Sequence, residues 1–203
     1  MPSAEEIVEH EAPGPPAGAS PWVGDARPST DVRVVTADPA WPETYAEVAL
    51  GIREALGGVV VALDHVGSTS VPGLVAKPIT DVCLVVGDPG DEAAYVPALV
   101  AAGYVHRVRE PWWQGHRLLR LAEPAVHLHV FGPDAAEPVR MRIFRDWLRD
   151  HPEDLRRYAA AKREAARATT AAGEHMMDYN ARKQAVVREI YDRAFRAAGL
   201  LAD

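Results

Sequence analysis

Cysteine is almost missing from this chain: Cys83 is the single one among 203 residues. One thiol excludes an internal disulfide and a cysteine-rich zinc site, and its place within an apolar run reads as a small core residue rather than a nucleophile. Long apolar runs are missing too. None approaches the roughly 18 residues of a membrane span, and the N-terminus lacks the basic and apolar regions of a signal peptide, so the expectation is a soluble, cytoplasmic protein with no membrane partner. No Gly-x-x-x-x-Gly-Lys-Ser/Thr loop, Gly-x-Gly-x-x-Gly turn, Gly-x-Ser-x-Gly elbow or His-Glu-x-x-His pair occurs, which removes the commonest phosphate-loop, dinucleotide, hydrolase and zinc-protease signatures. A basic excess is lacking as well. The formal charge is −7, with the acidic residues concentrated before residue 137, and a general nucleic-acid binder needs a basic face to neutralise phosphates.

What is present is enough for one sizeable core, since 48% of residues are hydrophobic. Residues 1–30 carry Pro2, Pro13, Pro15, Pro16, Pro21 and Pro28 with no apolar period. Such a segment buries too little to offset its ordering entropy and is expected to be a disordered extension, with Trp22 as its one anchor. The domain proper is placed at 31–203, with 137–203 as a helical C-terminal segment. Val32, Val34 and Val35 suggest a short first strand. Tyr45, Val48, Ala49, Ile52 and Leu56 repeat at helical spacing after Trp41-Pro42, giving a helix over 41–56. Strands follow at 59–66 and 79–86, a helix at 91–102 closed by Gly103, and three more strands at 104–109, 116–122 and 126–131. From 137 to about 168 the pattern is helical, bent or broken at His151-Pro152, and a last helix follows Gly173. The expected class is therefore α/β, a mixed sheet with flanking helices.

The most informative stretch joins the first two strands, residues 64–82. An apolar strand ends in Gly67-Ser68-Thr69-Ser70, where glycine admits another group close to the backbone and three hydroxyls and free N–H groups suit an anion such as phosphate. Asp81 then sits at the start of the next strand, where an ionised side chain among apolar neighbours calls for a cation or hydrogen bonds. A metal held against a phosphate supplies the cation. The serines with His65 also offer nucleophilic catalysis, although residues so near in a strand and turn need not meet.

Other candidates lie further on. His127 and His129, two apart in a strand, share one sheet face and either ligate a metal, orient a phosphate or simply face solvent. Trp112 and Trp113 either stack a base or acyl group or plug the sheet edge. Arg145 suits bidentate oxyanion contact, or belongs to a solvated basic face. Tyr158 with Lys162 and Tyr179 with Lys183, each four apart on a helix, put a phenol and an ammonium together, able to meet phosphate or to cap the core edge.

The run His65-Val66-Gly67-Ser68-Thr69-Ser70-Val71-Pro72-Gly73-Leu74-Val75-Ala76-Lys77-Pro78 resembles the signature of the GrpB family, whose domain is also found fused behind dephospho-CoA kinase. His127-Leu128-His129-Val130, Phe144-Arg145-Asp146-Trp147-Leu148-Arg149 and the two Tyr–Lys pairs extend the likeness, in order, across roughly residues 32–198. The resemblance implies the nucleotidyltransferase fold shared with polymerase β, with Gly67-Ser68 as its turn and Asp81 as the first metal-holding carboxylate. The second carboxylate of that pattern, two residues on, is Cys83 here. The implied activity is metal-dependent transfer of a nucleotidyl or phosphoryl group from a nucleoside triphosphate to a small acceptor, with Mg²⁺ or Mn²⁺ as cofactor. In it Gly67, Ser68, Thr69, Ser70, Arg145, Lys162, Tyr179 and Lys183 meet phosphate, Lys77 neutralises charge, and His127 and His129 complete the metal shell with Asp81 or provide a base at His129. Two alternatives stand beside it: a nucleotide- or CoA-binding module without turnover, and a pocket turned to other small-molecule chemistry.

Overall fold

The computed structural model describes residues 1–27 and 30–202, so Pro28, Ser29 and Asp203 lie outside the described residues. Five strands form one mixed sheet: β1 (Ala62–Val66), β2 (Thr80–Val85), β3 (Val105–Glu110), β4 (His116–Leu121) and β5 (Val126–Phe131), in the order β1-β2-β5-β4-β3. Only β2 and β5 run parallel; every other neighbour is antiparallel. The strand before the polar turn, β1, lies at the sheet edge, while β2 and β5 lie inside it. Val32–Val35, expected as a strand, contributes only an isolated bridge from Val35 to Ala76.

Side chains alternate across the sheet and so sort its two faces. Leu63, Val82, Leu84, Leu119, Leu128 and Val130 face one way and pack under α2 (Trp41–Leu56) and α3 (Val96–Ala101). Pro42 opens α2, where its missing N–H is no loss, and Val48, Ala49, Ile52 and Leu56 form its buried stripe. Leu84, Leu119, Leu128 and Val130 are fully enclosed, each worth about 1.5–3 kcal/mol relative to exposure. The opposite face carries Asp81, Cys83, His127, His129 and Phe131, and it is the face that the C-terminal helices cover. From Val82 to Val85 β2 is apolar on both sides because both of its faces are roofed.

Those helices are α4 (Glu137–Asp150), α5 (Pro152–Ala172) and α6 (Met176–Ala197). His151-Pro152 breaks the first from the second, as expected for a proline that begins a new helix. Gly173 ends α5 in the left-handed region at φ 65°, its N–H and that of Glu174 returning to Thr170 and Thr169 carbonyls. Asp154 ties the three together, accepting from Trp147 Nε1 at 2.8 Å and from Arg193 at 2.6 and 2.9 Å. Arg142 and Arg145 then pin α4 to the sheet through Asp64 on β1, at 3.2 and 3.6 Å.

The expectation of a disordered N-terminal extension meets a different arrangement. Ala4–Val8 form a short helix, α1, closed by a Ser3–Glu6 capping box. Ile7 is buried with Ala136 and Phe195, and the Arg140 guanidinium donates to the carbonyls of Ile7 and Glu9 while stacking on Tyr191. Among the described residues no helix is long and apolar enough to cross a membrane.

Candidate functional site

The parallel pairing of β2 with β5 sets Asp81 directly beside His127 and Cys83 beside His129. On one face of two adjacent strands, therefore, a carboxylate and two imidazoles converge. Asp81 Oδ1 lies 3.5 Å from His127 Nδ1 and 3.8 Å from His129 Nε2, and one ligand atom from each of the three falls within 4.8 Å of the others. Two ligand atoms bound to one ion at about 2.1 Å lie roughly 3–4 Å apart, so the Asp81 spacings fit a shared cation. Burial acts to raise the Asp81 pKa, but the His127 and His129 imidazoles outweigh it and hold the carboxyl below the ordinary range. Burial pushes the His127 pKa down.

Gly67 makes the approach of the turn to this carboxylate feasible. It sits at φ 66°, and a Cβ there would fall 2.3 Å from Asp81 Oδ2 and 2.8 Å from Asp81 Cβ. The Asp81 side chain thus lies flat against the bare Gly67 backbone, which no other residue permits without displacing one of them. Cys83, at the second-carboxylate position, packs with Val66, Phe131 and Ala135, and burial pushes its thiol up to about 12. It is an inert core thiol, in line with the sequence reading.

A cavity of about 250 Å³ opens beside the triad between the sheet and the C-terminal helices. Its wall includes Gly67, Ser68, Asp81, His129, Tyr158 and Lys183. Lys162 is buried behind it and donates to Ser68 Oγ; burial pulls its pKa down to about 8, with Lys183 and Lys77 adding repulsion. Tyr158 is drawn below the usual phenol range: burial would raise it, but the Lys183 and Lys162 ammonium groups and the Ser68 hydroxyl prevail. Lys183 lies 6.0 Å from the Tyr158 ring centre and 5.2 Å from that of Tyr179.

Other residues named from the sequence fall elsewhere. Thr69 Oγ1 is occupied by His65 Nε2 at 3.0 Å and the Ile79 carbonyl at 3.3 Å, and Ser70 Oγ donates to the Gly67 carbonyl at 2.6 Å. Both are buried, and their hydroxyls hold the turn's shape instead of pointing outward. His65 is stacked on Tyr45 at 4.5 Å and burial takes it down to about 4, so it stays neutral and structural. Tyr179 is enclosed among Val32, Ala165 and Met176, and burial raises its phenol. Lys77 donates to the Met176 sulfur at 3.0 Å and lines a separate cavity with Asp31 and Arg33. Arg145 reaches the cavity wall, but its guanidinium is held by Asp146 at 2.7 Å and the His65 carbonyl at 3.0 Å.

His116 was missed. Its Nδ1 meets Glu110 Oε2 at 2.8 Å and its Nε2 meets His129 Nδ1 at 3.1 Å. An ionised carboxylate only accepts, so Glu110 takes the His116 Nδ1 proton. Burial lowers His116 to about 4, leaving it neutral, with Nε2 as acceptor for a proton on His129 Nδ1. His129 Nε2 faces Asp81, where a proton holds the Asp81 carboxyl down and a cation seated between them would take that nitrogen's lone pair instead. Arg120, the cross-strand partner of His127, is a second omission: it feels the Asp81 charge, and its buried Nε has no hydrogen-bond partner among the described residues.

The family model described as GrpB protein matches residues 31–193. A UPF0157 protein of Halalkalibacterium halodurans is 42% identical over 173 residues, covering 85% of this chain and 87% of that one, and a UPF0157 protein of Streptomyces coelicolor is 43% identical, covering 77% and 81%. A dephospho-CoA kinase of Mycolicibacterium paratuberculosis is 29% identical over 81% of this chain but only 46% of its own length. Among solved structures, the GrpB protein of Enterococcus faecalis superposes with a TM-score of 0.73 at 28% identity, covering 82% of this chain and 99% of that one. The fold is nucleotidyltransferase-like, and the chain belongs to the GrpB family.

Proposed function

We propose that the protein is a metal-dependent transferase that moves a nucleotidyl or phosphoryl group from a nucleoside triphosphate to a small acceptor. The observation that carries this reading is the convergence of Asp81, His127 and His129 beside a cavity that Asp81 and His129 line together with Arg145 and Lys183. The donor set fits a divalent ion: one carboxylate and two imidazoles, with the His129 ring oriented from behind by His116. Two nitrogen ligands suit Mn²⁺ or Zn²⁺ better than Mg²⁺, which takes oxygen. Such an ion would supply positive charge at the transferred group and lower the pKa of a bound hydroxyl or water. The chain's own part is positioning and charge. Lys183 neutralises phosphate oxygens, Ser68 offers its hydroxyl, Gly67 keeps the backbone accessible, and the apolar wall of Leu74, Phe144 and Leu148 excludes water.

One observation favours a second reading, a module that binds a nucleotide or CoA-like ligand without turnover. Cys83 stands where a second carboxylate would, so the metal shell has one hard anionic ligand where two-metal phosphoryl transfer uses several. The dephospho-CoA kinase among the relatives makes a CoA-like ligand the natural one to test.

Thermal shift with ATP, CTP, GTP, UTP and CoA, each with Mn²⁺, Zn²⁺, Mg²⁺ or chelator, separates the two when run on the wild type and Asp81→Ala. A metal-dependent stabilisation lost in Asp81→Ala, with nucleotide consumption by chromatography, supports transfer. Metal-independent stabilisation without consumption supports the binding module, and no stabilisation by any of them contradicts both.

A further inference from the structure

The geometry points to Ser68 as a nucleophile, with Lys162 as its general base, that takes the transferred phosphorus group covalently before an acceptor does. Ser68 lines the cavity and is partly exposed, while Lys162 is 3% exposed and donates to Ser68 Oγ from the buried side. The hydroxyl thus stands between a substrate-sized space and an amine that water does not reach. That is the arrangement a nucleophile and its base require: hydrogen-bonded to each other, with the base shielded and the nucleophile open.

Lys162 has a further peculiarity. Among the described residues no carboxylate lies within ion-pair distance of it; its neighbours are the Ser68 hydroxyl and the Tyr158 ring at 5.1 Å. Burial disfavours its charged form, and the attraction of Tyr158 and Asp81 offsets that burial and the repulsion from Lys183 and Lys77 only in part. The burial-driven fall of its pKa to about 8 agrees with that.

Residue choice carries the same message. The chain has 22 basic residues, of which only three are lysine: Lys77, Lys162 and Lys183. Each of the other two acts electrostatically on Lys162. The other nineteen are arginine, which stays protonated in proteins, and the basic side chain behind Ser68 is one of the few here that can give up a proton.

The step balances as follows. The neutral Lys162 amine takes the Ser68 hydroxyl proton, a bond forms between Ser68 Oγ and the α-phosphorus of a nucleoside triphosphate, and the bond from that phosphorus to the bridging oxygen breaks. Pyrophosphate leaves as an anion on the Lys183 side of the cavity. In the return step an acceptor hydroxyl or amine attacks the same phosphorus and releases its own proton to solvent, the Oγ–P bond breaks, and Lys162 returns the proton it holds to Ser68 Oγ. This route rests on the transfer reading above, but the activated serine itself does not.

The test uses a fluorophosphonate probe, whose phosphorus is attacked by serine with loss of fluoride and which needs neither metal nor nucleotide. The full chain is labelled, measured by intact mass and mapped by peptide. One adduct on Ser68 is expected, absent from Ser68→Ala and formed more slowly by a factor of about 10² or more in Lys162→Met, in keeping with loss of a general base; melting temperature confirms that both variants fold. A folded wild type with no Ser68 adduct, or Lys162→Met labelled as fast as wild type, overturns the proposal. Nucleotide turnover by Ser68→Ala at the wild-type rate overturns the covalent route while leaving the transfer reading intact. Labelling of Ser68 with no nucleotide turnover supports the activated serine and contradicts the transfer reading alone.

Discussion

His116 Nε2 lies 3.1 Å from Nδ1 of His129, and through that contact the Glu110 carboxylate, 2.8 Å from His116 Nδ1, keeps a proton on His129 Nδ1. Outer partners of this kind fix the tautomer and ring angle of a metal-binding histidine. Replacing His116 by Ala is expected to weaken Mn²⁺ or Zn²⁺ binding by about 10–100-fold without unfolding the sheet. Calorimetric titration of the metal into both proteins, with circular dichroism as the control for fold, measures it.

Gly67→Ala is expected to harm stability and metal binding together. The new methyl would sit 2.3 Å from Asp81 Oδ2 on a backbone at φ 66°, so the turn strains by roughly 1–2 kcal/mol and the carboxylate must move. Urea denaturation gives the first loss and metal titration the second. A variant of unchanged metal affinity would show that Asp81 does not depend on this close approach.

Stability should fall as the solution is acidified. Burial holds His65 and His116 neutral with pKa values of about 4, below the ordinary 6.5. The unfolded chain therefore binds more protons between those values, and stability present above pH 6.5 is lost as pH drops toward 4. At pH 5 each ring accounts for roughly 2 kcal/mol. Denaturant midpoints at pH 7 and pH 5 test this, and His65→Gln should narrow the difference between them by removing its share.

The N-terminal helix makes a separate prediction. Ile7 is buried against Phe195 and Ala136, so Ile7→Asp should release residues 1–11 and expose them to rapid limited proteolysis. The main unfolding transition should move only modestly, since α1 meets α4 and α6 through the Ile7 cluster and the Arg140 bonds, a small part of the buried core. Equal protease resistance in wild type and variant would contradict the docking.

How much of this was legible beforehand follows from the range of each interaction. The alternating and helical periods gave every strand and long helix to within a few residues, and Pro152 and Gly173 marked the helix breaks because their effects are local. The capping pair Ser3 and Glu6 was readable too, but the surface that receives Ile7 comes from Ala136 and Phe195, over a hundred residues away, so composition alone suggested disorder. Asp81, His127 and His129 were each visible as chemistry; their meeting depends on β5 returning beside β2 in parallel, which the fold analogy supplied and spacing did not. His116 was recoverable. Counting back along the β4–β5 hairpin from Leu121 opposite Val126 puts Leu118 opposite His129 and His116 diagonal to it. Thr69, Ser70, Tyr179 and Arg145 were read by residue type, and only coordinates reveal that the Thr69 and Ser70 hydroxyls and the Arg145 guanidinium are taken up by neighbours and that Tyr179 is enclosed in the core.

The most direct measurement is an anomalous difference map from crystals soaked in Mn²⁺ or Zn²⁺. A single strong peak within about 2.0–2.3 Å of Asp81 Oδ1 and of one nitrogen each on His127 and His129, lost in Asp81→Asn crystals, is the result the account predicts. A map from fully soaked crystals with no peak among these three side chains would contradict it.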